Sequence, residues 1–76
     1  MTRGVFNWTF DDVVRFLKAH GFTLTHVKGS HYFYAGRYAG QFRQVSIPFH
    51  GKTVLVPRTM KSIITQSGIP KNLWIY

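Results

Sequence analysis

The chain has no cysteine among its 76 residues. It has no disulfide to staple it and no thiolate to attack a substrate or hold a metal. Acidic side chains are nearly as scarce. Asp11 and Asp12 stand against ten lysines and arginines, a formal charge of +8. Two adjacent acids opening a helical pattern do not supply the paired carboxylates of sugar chemistry. No glycine-rich phosphate loop and no serine–histidine–acid set is present. No stretch reaches about 20 apolar residues, and the start carries no signal-peptide pattern. The expectation is a cytoplasmic chain without a membrane span. It should fold as one domain over residues 1–76, with its core at about 8–70.

What the chain does have is rings and positive charge. Seven Phe, four Tyr and two Trp bury much area per residue. They compensate for a length at which folding buries only about 60% of the unfolded surface. The basic residues run along the whole sequence instead of gathering in a tail. Such a charge attracts polyanions, which leaves nucleic acid, an acidic protein or an anionic membrane surface as partners. No long lysine-rich amphipathic segment supports the membrane.

Thr9-Phe10-Asp11-Asp12 reads as a helix start, with Thr9 as cap and Asp12 as the capping-box acid. Phe10, Val13, Val14 and Leu17 form one apolar stripe. Trp8 is placed to staple onto Val13, and Gly21 ends the helix. His20, in the last turn, reads as a cap. Residues 22–27 alternate as a strand, with Phe22, Leu24 and His26 on one face. That phase makes His26 a part-buried structural histidine. Lys28-Gly29-Ser30 is a turn. Residues 31–34 form a second strand, with His31 and Phe33 opposite Tyr32 and Tyr34. Residues 35–41 read as a hairpin loop. Residues 42–47 form a third strand that puts Arg43, Val45 and Ile47 on one face. His50-Gly51-Lys52 turns, and 53–56 is a short strand or an ordered loop. Thr59 is expected to cap a second helix with Met60, Ile63, Ile64 and Ser67 inward, ended by Gly68 and Pro70. The apolar tail from Asn72 to Tyr76 should pack. The fold expected is α+β in the order α-β-β-β-α, a three-stranded antiparallel sheet with both helices on one face. That two-layer order resembles double-stranded-RNA-binding domains.

His31 is the first candidate for chemistry. Histidine carries protons near neutral pH, and RNA brings its own nucleophile in the 2′-hydroxyl. One imidazole, helped by lysine or backbone amides, can then suffice without metal. The plainer reading is a strand-edge histidine with a satisfied hydrogen bond. His50 is a second proton carrier, a phosphate contact or a solvent-exposed turn residue. Lys28, Arg43, Lys52, Arg58 and Lys61 are candidate phosphate contacts, and Arg37 is one more. Gly29 and Ser30 offer a close backbone approach or simply a turn. Tyr32 and Tyr34 either stack unpaired bases or cover the open sheet face. Four histidines without cysteine make no metal signature, so neither metal nor cofactor is expected.

Four stretches together resemble the HicA family, small toxins of bacterial and archaeal toxin–antitoxin pairs that degrade mRNA. They are LKAHGF at 17–22, KGSHYFY at 28–34, IPFHGK at 47–52 and IITQSGI at 63–69. The resemblance implies the double-stranded-RNA-binding type of fold and metal-independent mRNA cleavage. It places the catalytic histidine on His31, preceded by Gly29 and Ser30, and implies a HicB antitoxin that covers this histidine. The chain departs from the family at Pro48-Phe49-His50, where Pro-Arg-His is usual, and in its aromatic end. Two alternatives stand beside this expectation: a non-catalytic RNA-binding module, and a basic subunit that meets an acidic protein.

Overall fold

A computed structural model describes residues 7–75. The opening six residues, where the targeting expectation falls, and Tyr76 lie outside them. Helix α1 spans Phe10–Ala19. Strands β1, β2 and β3 span Thr23–Lys28, His31–Tyr38 and Gln41–Pro48. Helix α2 spans Pro57–Ser67, and a 3-10 turn follows at Lys71–Leu73. The sheet order is β1-β2-β3, antiparallel throughout. This is the α-β-β-β-α order expected from the sequence.

Local chemistry explains the helix ends. The Asp12 amide donates to Thr9 Oγ1 at 3.3 Å, and the Thr9 amide donates to Asp12 Oδ2 at 3.0 Å. That reciprocal box satisfies two amides which the first turn leaves unpaired. Gly21 (φ +87°) closes α1. Helix α2 starts earlier than expected. Pro57 occupies its first turn, Val56 is the N-cap, and no side chain caps it. Thr59 is therefore inside the helix. Proline's fixed φ suits a first helical position and makes a separate cap dispensable. Ser67, an unpromising core residue, is buried but satisfied: its hydroxyl donates to the Ile64 carbonyl at 2.8 Å and accepts from the Ile69 amide at 3.1 Å.

The segment 35–41 is not a loop. β2 and β3 pair through it, Ala35 with Gln44 and Gly36 with Arg43, down to a two-residue turn at Ala39-Gly40. Both turn residues have positive φ, +55° and +79°, as a type I′ hairpin requires. Gly36 is a packing glycine. A Cβ there would lie 2.9 Å from the Gly21 carbonyl oxygen, where the end of α1 rests on the sheet. Residues 53–56 form an ordered loop with one bridge, Val54 to Thr9. The Leu55 amide also donates to the Trp8 carbonyl at 2.8 Å.

The core lies between the helices and one sheet face. Val13, Leu17, Tyr34, Val45, Ile47, Met60 and Ile63 fill it. Trp8 joins the same cluster as Val13 and meets Phe16 and Trp74 edge-on, at 5.5 and 5.4 Å. Of the tail, Trp74 packs as expected, while Leu73 and Ile75 are exposed. Trp74 is 0% exposed, stacks on Phe16 at 3.9 Å and donates its indole N–H to the Ile69 carbonyl. Phe10 at the start of α1 touches Tyr32, while the end of α1 lies against Gly36. α1 thus starts at the His31 end of the sheet. Among the described residues no helix is long and apolar enough to cross a membrane.

Candidate active site

Lys28 and His31 flank the two-residue loop Gly29-Ser30 and pair across it. Gly29, at φ +60° in the first loop position, fits a type II′ hairpin turn. A turn accounts for this glycine without any ligand. β2 is the central strand, so its first residue, His31, also pairs with Pro48 of β3. The Phe49 amide donates to the Ser30 carbonyl at 2.8 Å. That bond ties the loop carrying His50 and Lys52 to the turn carrying Gly29 and Ser30. Lys28, Gly29, Ser30, His31, His50 and Lys52 thus gather at one end of the sheet. His50 lines a small recess of about 240 Å³ with Thr53, Val54 and Val56.

Paired residues of an antiparallel sheet share a face. Tyr32 pairs with Ile47 and Tyr34 with Val45, both partners being buried. These tyrosines therefore belong to the helix side, not to an open face where bases could stack. Tyr34 is only 4% exposed, and Tyr32 is half-buried against Phe10 and Phe49. Burial raises the Tyr34 pKa above its usual 10.0, and Tyr32 adds to the rise.

The opposite face carries His31, Phe33, Ala35 and Arg37 of β2, with Gln44 and the 65%-exposed Phe42 of β3. It also carries His26, against the expectation that this residue is part-buried beside Leu24. The register shifts between Leu24 and His26. Leu24 pairs with Tyr34 and His26 with Phe33, leaving Thr25 as the extra residue of a β-bulge. The inserted residue reverses the alternation. His26 and Lys28 therefore join His31 on the open face. The His26 ring lies flat on Phe33, centroids 4.2 Å apart and planes within 6°.

The remaining candidates lie elsewhere. Arg43 belongs to the helix side near the hairpin tip, packed against Gly68 at the end of α2. It donates to Gln41 Oε1 at 2.8 Å, and its Nε is buried without a hydrogen-bond partner. It is not brought to His31. Arg58 is exposed in the first turn of α2. Lys61 lines a separate recess of about 340 Å³ with Ile64, Thr65 and Lys71. His20 does cap α1, donating Nδ1–H to the Phe16 carbonyl at 2.8 Å.

The electrostatics of the open face are one-sided. It presents Lys28, His26, His31 and Arg37, while the chain's acids, Asp11 and Asp12, sit in the first turn of α1. Asp12 is already occupied by Thr9 and Arg15. Among the described residues no three of His, Cys, Asp and Glu gather into a metal-ligand group. The face can attract a phosphodiester and offer it imidazole and ammonium groups.

The family described as "HicA toxin of bacterial toxin-antitoxin" matches residues 10–69. That span runs from the first residue of α1 to just beyond α2. No curated protein and no solved structure matches the chain.

Proposed function

This chain belongs to the HicA toxin family, and from that premise we propose that it is a metal-independent endoribonuclease acting on mRNA. A toxin of this kind has an antitoxin partner; we assign that partner as a HicB protein that covers His31. One observation carries the reading. His31 is exposed beside Lys28 on a sheet face that bears positive charge and no acid. RNA supplies the 2′-hydroxyl nucleophile, so the protein has only to move protons and stabilise charge on the phosphate. His31 acts as general acid or base. Lys28, Lys52 and the Ser30 amide steady the negative oxygens. Cleavage leaves a 2′,3′-cyclic phosphate and a 5′-hydroxyl.

The test is cleavage of RNA by the purified protein in EDTA, beside His31→Ala at equal folded concentration. The expected result is cleavage by the wild type and a loss of about 10²-fold or more in the variant, which still binds RNA. Equal cleavage by both contradicts the role of His31. Salt-sensitive binding by both without cleavage turns the protein into an RNA-binding module.

A further inference from the structure

We propose that His26 is the second proton carrier of the site, the general base that accepts the 2′-hydroxyl proton, leaving His31 as the general acid. This rests on the ribonuclease reading. Breaking a phosphodiester through its 2′-hydroxyl needs a proton removed on one side and one delivered on the other. A lone His31 would have to do both. The structure places a second imidazole, His26, on the same sheet face as His31.

Three observations converge on His26. The bulge at Thr25 turns it onto the face of His31, and bulges commonly re-aim a side chain next to an active site. His26 pairs with Phe33 and His31 pairs with Lys28, which makes the two histidines diagonal neighbours. Such neighbours lie roughly 7–8 Å apart at the backbone, a gap that a phosphodiester can bridge with one oxygen toward each ring. Finally, the hydrogen bonds around His26 favour one tautomer. Thr25 Oγ1 donates its single proton to the Phe33 carbonyl at 3.0 Å. Toward His26 Nδ1, at 3.1 Å, it can therefore only accept. Nδ1 carries the hydrogen, and the Nε2 lone pair is left as the base. Stacking on Phe33 fixes the plane of the ring. The charged and titratable groups sharing this face are Lys28 on the same strand and His31 and Arg37 on the neighbouring one, all basic.

The proton balance is simple. Nε2 of His26 takes the proton of the 2′-hydroxyl as the O2′–P bond forms. The P–O5′ bond breaks, and His31 gives its proton to the departing O5′. Both imidazoles return to their starting states by exchange with water. Thr25 acts through His26 and is a positioning residue.

The experiment uses two oligoribonucleotides, one ordinary and one whose scissile 5′-oxygen is replaced by sulfur. A thiolate leaves without needing a proton, so it bypasses a missing general acid. On the ordinary substrate, His26→Ala and His31→Ala should each lose about 10²–10⁴-fold in kcat. On the sulfur substrate, His31→Ala should recover toward the wild-type rate while His26→Ala stays slow. Thr25→Val should lose activity and alter the pH–rate profile, and Thr25→Ser should restore both. Wild-type activity in His26→Ala overturns the proposal, as does its rescue by the sulfur substrate. In either case the ribonuclease reading survives if His31→Ala is impaired. A wild type that cleaves neither substrate overturns both.

Discussion

At the scale of single residues, Tyr34 joins burial to pH. Its phenol loses water on folding, so the folded chain holds the proton more tightly than the unfolded one. Stability from the neutral phenol is complete below about pH 10. It falls as pH rises through the folded value, because the unfolded chain releases its proton first. Tyr34→Phe keeps the ring and removes the titration. Urea unfolding at about pH 8 and about pH 10.5 should show wild type losing stability relative to the variant only at the higher pH. A constant difference would contradict the assignment. Gly29 makes a different kind of prediction. A Cβ there meets nothing within 4 Å, so Gly29→Ala is strained only by its positive φ. The expected cost is about 1–3 kcal/mol in urea unfolding.

At the scale of elements, the Gly36 ladder and the Thr25 bulge decide how the sheet is used. Gly36→Ala would push a methyl group to 2.9 Å from the Gly21 carbonyl oxygen, so it should destabilise by roughly 1–3 kcal/mol and lower the urea midpoint. The same two features mark what sequence could and could not reveal. The capping box at Thr9, the Gly21 and Gly68 stops and the apolar stripes are local, and they read correctly. The sequence does not separate the hairpin turn from the strand before it, because Gly36, whose lack of a side chain serves packing, carries the same local signal as Gly40, which forms the turn. Thr59 has the chemistry of a cap, but Pro57 begins the helix two residues earlier without a side-chain cap. His26 is the most instructive case. Counting forward from the buried Phe22 puts it on the core face. Counting back from the Gly29-Ser30 turn, where Lys28 must oppose His31, puts it with the catalytic candidate. The disagreement of one residue is the bulge itself. Only the paired strands show which phase holds. The face of Tyr32 and Tyr34 is hidden for a related reason: periodicity sorts residues into two faces without saying which one the helices cover.

At the scale of the whole molecule, the core lies on one side of the sheet and the face carrying His31 is left open on the other. The helix side holds the core. It is closed by Trp8 and Trp74, both outside the span that matches the family. Trp74→Ala should cost about 3–5 kcal/mol in urea unfolding, because it strips the cover from Phe16 and Trp8. The open side carries the basic groups around His31. In His31→Ala, expected to bind without cutting, the affinity for single-stranded RNA should fall with salt, each neutralised phosphate adding about −0.7 to the logarithmic slope. Lys28→Gln should flatten that slope, whereas Lys61→Gln, in its separate recess, should leave it unchanged. The reverse pattern would move the RNA path from the sheet to α2. The most direct measurement is the chemistry of the cut ends, read by mass spectrometry after digestion of a defined RNA in EDTA. Proton transfer at the open face predicts a 2′,3′-cyclic phosphate on one fragment and a 5′-hydroxyl on the other. A 3′-hydroxyl with a 5′-phosphate would contradict it, because water and not the 2′-hydroxyl would then have attacked the phosphorus.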